Sequence, residues 1–324
     1  MREIKKWFPA LLLCATFAVS AAQNLTKVTL VLGDQARNLR SLVEASGVMK
    51  DAPYQYRWAN FQGAAPLFEA QRAGAVDTSY AGDLPVLMAA SGGVDLKIIA
   101  TNVGDGAANG IIVPADSPLH SVKDLAGKTV VVSSARGSIS QHLLYEALQE
   151  AGLKQDAVQI RFVLPTDASA AFNAGQIAAW ATFDPYLGIA EQQGARLLRD
   201  SKGLTTGLSF VTATGSSLKD PQKRLAIADF ARRLAQARAW GIQHPDEYNQ
   251  VYASLTRLSP LTSKLITARI SHGIRPVTGQ DIARVQQVSD LFSSLAILPN
   301  KVNVQAITDT SVFTAGETQE KTHD

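Results

Sequence analysis

Thr129-Val130-Val131-Val132-Ser133-Ser134-Ala135-Arg136-Gly137-Ser138-Ile139-Ser140-Gln141-His142 reads as a strand, a glycine-bearing turn and a helix start. Thr129 to Val132 is a β-branched run, the pattern of a parallel strand buried on both faces. Beyond the turn, Ile139, Leu143 and Ala147 fall on one stripe, with Leu144, Leu148 and Ala151 beside it. Gly152 stands where a helix C-terminal glycine belongs, and Ser138 is the N-cap candidate. The first amides of such a helix have no intrahelical partner and carry the positive end of the dipole, so they suit an anion. Gly137 and Ser138 are thereby candidates to hold an acidic ligand head. Arg136 is a weaker one, available for charge steering.

The same rhythm runs outward in both directions. Strands are expected at 27–32, 54–58, 76–80, 96–100 and 110–113, with glycine-bearing turns and short helices between them. After the turn-rich Pro114-Ala115-Asp116-Ser117-Pro118 come the opening strand and helix, then strands at 158–163, 177–182 and 195–198. Leu208 to Ala213 reads as a strand returning to the first unit, and helices follow from Asp220-Pro221 onward. Alternation of strands and helices predicts an α/β fold with mostly parallel sheets. Ligands in such sheets sit beyond the carboxyl ends of the strands. The relevant turns are Gly33-Asp34-Gln35, Phe61-Gln62-Gly63, Gly82-Asp83, Gly137-Ser138 and Phe183-Asp184, and two units facing each other would gather them on one cleft.

Length and composition allow two such units: 324 residues, 46% hydrophobic and 18% charged, net charge +3. No basic run interleaved with aromatics points to nucleic acid. Arg2, Lys5 and Lys6 precede a mostly apolar run, Trp7 to Val19, and then Ser20-Ala21-Ala22. That is the layout of a cleavable export signal over residues 1–22, too short for a comfortable membrane span. Cys14 is the single cysteine and lies inside it; Leu13 stands where a lipoprotein site wants a small residue. A mature chain without cysteine makes no disulfide, thiolate metal site or cysteine nucleophile. The five histidines lack the spacing of a helix-borne zinc motif, and neither a Gly-x-Ser-x-Gly elbow nor a P-loop is present. No cofactor and no metal is expected.

Taken in order, the motifs resemble a known family. Tyr80-Ala81-Gly82-Asp83-Leu84-Pro85 is similar to a segment of periplasmic binding proteins for aliphatic sulfonates. Asp116-Ser117-Pro118 with Asp124-Leu125-Ala126-Gly127-Lys128, then Gly137-Ser138 with His142, Ala179-Trp180 and Phe183-Asp184-Pro185-Tyr186, continue the likeness. It covers nearly all of the chain beyond the export signal and extends more loosely to taurine, nitrate and pyrimidine-precursor binding proteins. The resemblance implies a two-lobed type II periplasmic binding protein fold, each lobe a mostly parallel sheet flanked by helices. It implies lobe I from 23–113 plus 207–313, lobe II from 114–206, a loose tail at 314–324, and hinges near 111–114 and 206–211. It further implies a monomer in the periplasm that binds a small organic anion, a sulfonate with taurine or nitrate as alternatives, without chemistry and delivers it to the membrane subunits of an ABC importer. The implied ligand-binding residues are Gln35, Phe61, Gly63, Gly82, Asp83, Asn109, Gly137, Ser138, His142, Trp180, Phe183 and Asp184. Three departures stand out: Asp34 before Gln35 where the family often has tyrosine, Ile139 after Ser138, and Phe183 where tryptophan is frequent. A sulfinate desulfinase on the same fold and a ligand-binding sensor are the alternatives.

Overall fold

The computed structural model describes residues 25–269 and 272–314, so the expected export signal and the expected tail beyond Thr314 lie outside the described residues. The first lobe begins with β1 (Thr29–Gln35), α1 (Asn38–Ser46), β2 (Gln55–Phe61), α2 (Ala64–Arg72), β3 (Thr78–Gly82), α3 (Asp83–Ser91) and β4 (Lys97–Val103). The second lobe carries β5 (Asn109–Val113), β6 (Thr129–Val132), α4 (Ile139–Glu150), β7 (Gln159–Phe162), α5 (Pro165–Asn173), β8 (Trp180–Phe183), α6 (Tyr186–Gln192) and β9 (Arg196–Asp200). β10 (Leu208–Ala213) returns to the first sheet. Thereafter come α7 (Gly215–Lys219), α8 (Pro221–Gln243), α9 (Pro245–Thr256), α10 (Pro260–Thr267), β11 (Gly273–Arg275), α11 (Gly279–Ser294) and α12 (Ser311–Thr314).

The opening stretch folds as its pattern dictates. Val130 and Val132 are buried against Leu143, Leu144, Ala147 and Leu148 of α4. Ser138 is the N-cap, its Oγ accepting the Gln141 amide at 3.3 Å. In the first lobe, Asp220 caps α8 through the amides of Gln222 and Lys223, and Ile227, Phe230 and Leu234 pack into the core beneath β1.

Both sheets are mixed rather than mostly parallel. The first runs β11-β4-β10-β3-β1-β2 and the second β7-β6-β8-β5-β9. β1 is parallel to β2 and β3, and β6 is parallel to β7 and β8. The two strands that carry the chain between lobes, β5 and β10, run antiparallel to their neighbours. β5 therefore belongs to the second sheet and does not close the first lobe as expected. The crossings run through 104–108 and 201–207, ahead of the expected hinge at 111–114. They lie side by side: the Gly104 amide donates to the Gly207 carbonyl at 2.9 Å. Gly207 has φ +68°, and a Cβ there would fall 2.4 Å from the Gly104 oxygen, so this pairing requires glycine.

The turn expected at Gly33-Asp34-Gln35 proves to be strand, as does Phe61 at the head of the expected Phe61-Gln62-Gly63 turn. The parallel ladder of β1 and β2 continues through Gly33↔Ala59 and Asp34↔Asn60 to Gln35↔Phe61. A glycine and two polar residues look like a turn locally, but the ladder supplies their backbone partners.

Candidate functional site

A cavity of about 160 Å³ opens between the two sheets, at the carboxyl ends of β1 and β3 and beside the first turn of α4. The first lobe contributes Gln35, Asn38, Tyr80, Gly82, Asn102 and Ser209; the second contributes Asn109, Ser134, Ser138, Ile139, Phe183 and Asp184. Tyr252 and Arg269, from the helical C-terminal part, close one side, and the crossing residues Gly104, Gly106 and Gly207 form the back. Several of these groups hold each other in place. Gln35 Nε2 donates to the Tyr80 carbonyl at 2.6 Å, and Asn102 Nδ2 to the Tyr80 hydroxyl at 2.8 Å.

Of the expected residues, Gln35, Gly82, Asn109, Ser138, Phe183 and Asp184 line this cavity. The others stand elsewhere, each for a physical reason. Trp180 is completely buried against Phe172, with its indole N–H donating to Ser133 Oγ at 2.9 Å. Gly63 faces Ser134 across the lobe boundary, and Phe61 ends β2 outside the cavity, where its carbonyl accepts the Ala36 amide. Gly137 lines a neighbouring cavity. Its amide is already committed to Gln141 Oε1 at 2.7 Å, and that of Ser138 to the Ala135 carbonyl at 3.1 Å. The amides left by the helix are those of Ile139 and Ser140, its first two residues, which have no carbonyl a turn earlier to receive them.

Asp83 and His142 bind each other rather than lining the cavity. Asp83 begins α3 in the first lobe and His142 sits on α4 in the second, both almost completely buried. Asp83 Oδ1 meets His142 Nδ1 at 3.1 Å and accepts the Leu84 amide, while Oδ2 accepts the Thr206 hydroxyl. Burial opposes ionisation of Asp83, but His142, Thr206 and the Leu84 amide outweigh it and hold the carboxyl below its ordinary range. Burial alone would lower the imidazole; Asp83 and, more weakly, Glu146 raise it instead. Both shifts favour the ionised pair, Asp83 carboxylate and protonated His142, across the lobe boundary, and the Phe292 ring flanks the imidazole at 5.1 Å.

Asp34, the unfavourable acid of the first turn, faces away from the cavity. It is fully buried and accepts the amides of Gln35, Leu39 and Arg40, tying β1 to α1. Burial pushes its pKa up to about 6 against those bonds. Asp184 does not cap α6: Pro185 holds that position, and Asp184 Oδ1 accepts the Gly188 amide at 2.9 Å. Burial raises Asp184 to about 7, with Arg269, 3.6 Å away, pulling the other way. Arg269 also pairs with Glu191. Sequence reasoning missed Tyr80 although it stands in the quoted motif, and missed Tyr252 and Arg269 because their helices read as scaffolding. Among the described residues no cluster of side chains is arranged to hold a metal ion, and no helix is long and apolar enough to cross a membrane.

Residues 65–248 match the family described as NMT1/THI5 like. A relative in Escherichia coli, named as an aliphatic sulfonates-binding protein, is 30% identical over 312 residues, spanning 93% of this chain and 94% of its own. The solved alkanesulfonate-binding protein SsuA of Xanthomonas axonopodis pv. citri, bound to MOPS, superposes with a TM-score of 0.81 at 27% identity, covering 87% of this chain and 98% of that one. The desulfurization enzyme DSZB superposes at 0.66 with 16% identity over 91% of this chain and all of its own, a likeness of fold alone.

Proposed function

The chain belongs to the NMT1/THI5-like family, and on that premise we propose that it is an exported solute-binding protein that captures an aliphatic sulfonate between its lobes and delivers it to an ABC importer. The observation that carries this reading is the interlobe cavity, where polar groups of both sheets converge on the first turn of α4. A sulfonate stays ionised at neutral pH, and helix amides with neutral donors suit it without a metal. The head sits against the amides of Ile139 and Ser140 and the hydroxyl of Ser138 on one side, with Gln35, Tyr80 and Asn109 around it. Gly82 gives room, and Phe183 and Asp184 bound the far wall. The protein acts by closure about the paired crossings at Gly104 and Gly207, to the extent that the ligand binds the closed form better than the open one. Among the described residues lobe I is 25–103 with 208–269 and 272–313, lobe II is 109–200, the crossings join them, and the protein works as a monomer in the periplasm.

The E. coli relative's name and the ligand-bound superposed structure support the sulfonate; the 16% likeness to a desulfurization enzyme supports only a shared scaffold. Calorimetry with ethanesulfonate, taurine, nitrate and sulfate tests the reading. Heat with a sulfonate and no release of sulfite is the expected result. Absence of heat with every sulfonate overturns the ligand class, and sulfite release from a sulfinate overturns binding without chemistry.

A further inference from the structure

Helix α8 carries a charge that the fold leaves unmatched. Arg232 and Arg233 on that helix reach Asp229, and Arg233 also pairs with Asp51. Arg238, further along, is only 2% exposed. Among the described residues its Nε and Nη2 find no hydrogen-bond partner, and no carboxylate pairs with it. Those nitrogens carry most of the donors of a guanidinium, and a guanidinium cannot relieve its burial by losing a proton.

The surroundings of Arg238 show what would match it. Ala237, next to it, packs in one cluster with Tyr248 and Tyr252 of α9, and Tyr252 lines the interlobe cavity. Tyr80 lines the same cavity. Burial raises both Tyr80 and Tyr248 above their ordinary value, and at each the positive charge of Arg238 is the foremost influence pulling the other way. The buried carboxyl of Asp34 bears on both hydroxyls more weakly, and its oxygens are taken by the amides of Gln35, Leu39 and Arg40. The wall behind Tyr80 is therefore positive. The Tyr80 hydroxyl accepts from Asn102 Nδ2 at 2.8 Å, which leaves its own proton to donate, and a cation behind it strengthens that donation.

We propose that Arg238 is the buried counter-charge of the bound anion: a positioning residue that acts through the Tyr80 hydroxyl and selects an ionised sulfonate over a neutral group of the same shape. The inference rests on the reading of the protein as a sulfonate binder and adds the source of its charge selectivity. The amides and hydroxyls at the first turn of α4 carry no net charge. Arg269, the guanidinium that lines the cavity, already faces Glu191 and Asp184. A sulfonate in the cavity supplies the negative charge that Arg238 lacks.

The test compares methanesulfonate with methanesulfonamide, which has the same tetrahedral shape and no charge at neutral pH, on the full native chain and on Arg238→Met and Arg238→Lys. The native protein should prefer the sulfonate. Arg238→Met should shrink that preference at least about tenfold by weakening methanesulfonate, and Arg238→Lys should recover most of the loss. Ligand-free stability should move the other way. Replacing an unmatched buried charge by an apolar chain of similar length should hold or raise the denaturation midpoint, whereas loss of a merely structural arginine would lower it. On the native protein, the Arg238 Nε–H proton resonance, identified by its disappearance in Arg238→Lys, should move on adding methanesulfonate and stay in place on adding methanesulfonamide. Full sulfonate affinity in Arg238→Met, an equal loss for both ligands, a lowered midpoint or an unmoved resonance overturns the counter-charge. No binding of methanesulfonate by the native protein overturns the proposed function itself.

Discussion

Asp83 and His142 were each attractive as anion contacts, being polar, close to turns and suitably spaced from their neighbours. Burial decides otherwise. A buried carboxylate needs a partner, and a protonated imidazole on the opposite lobe supplies one. The consequence is a pH signature with a definite sign. His142 is raised above 6.5, so its contribution to stability is complete below that value and is lost as pH rises through the raised one. Asp83 is depressed below 3.8, so its contribution is complete above that value and is lost as pH falls through the depressed one. Replacing either partner alone should cost roughly 3–5 kcal/mol within that window, read as a drop in the denaturation midpoint, because the other charge is left buried. The His142 ring resonances should titrate above 6.5 in the native protein and lower in Asp83→Asn; an unchanged titration contradicts the pairing. Asp184 has the opposite sign for a carboxyl. Its pKa of about 7 means that ionisation beside the cavity sets in around neutrality, so sulfonate affinity should fall between about pH 6 and 8 and stay level in Asp184→Asn. At this scale the sequence was a partial guide. Ser138 was legible as a cap, whereas the partners of Asp83, Asp34 and Trp180 are distant in sequence and only the fold brings them close.

Among the elements, α4 is the one on which the site depends, and its boundaries follow from local chemistry. The cap serine, the apolar stripe and the terminal glycine are all short-range signals. The ends of β1 and β2 were less legible, because a parallel ladder is a long-range bond pattern that overrides the turn character of Gly33-Asp34-Gln35 and of Phe61. The role of the α4 N-terminus can be probed at Ser138. Aspartate is as good a cap as serine, so Ser138→Asp should leave the denaturation midpoint nearly unchanged. It also places a carboxylate where the anion would sit, and sulfonate affinity should fall by at least about tenfold. Retained affinity would remove the ligand head from this turn.

For the whole molecule, composition and rhythm announced two α/β lobes, and two facing sheets are what the chain forms. The path between them was misread by one strand. Asn109 to Val113 is apolar enough for either sheet, and only pairing with β8 and β9 assigns it to the second. That assignment moves the crossings onto Gly104 and Gly207, whose close approach leaves no space for a side chain. Gly207→Val should therefore cost about 1–3 kcal/mol and weaken ligand-linked closure, seen as a smaller ligand-induced drop in the radius of gyration by solution scattering. A variant that closes normally would place the hinge elsewhere. The central claim, that one anion is held between both lobes at the first turn of α4, is tested most directly by a crystal structure of the full chain with hexanesulfonate. The sulfonate oxygens should lie within hydrogen-bond distance of the Ile139 or Ser140 amide and of a first-lobe group such as Gln35 or Tyr80. A sulfonate held by one lobe alone, or bound outside this cavity, would contradict it.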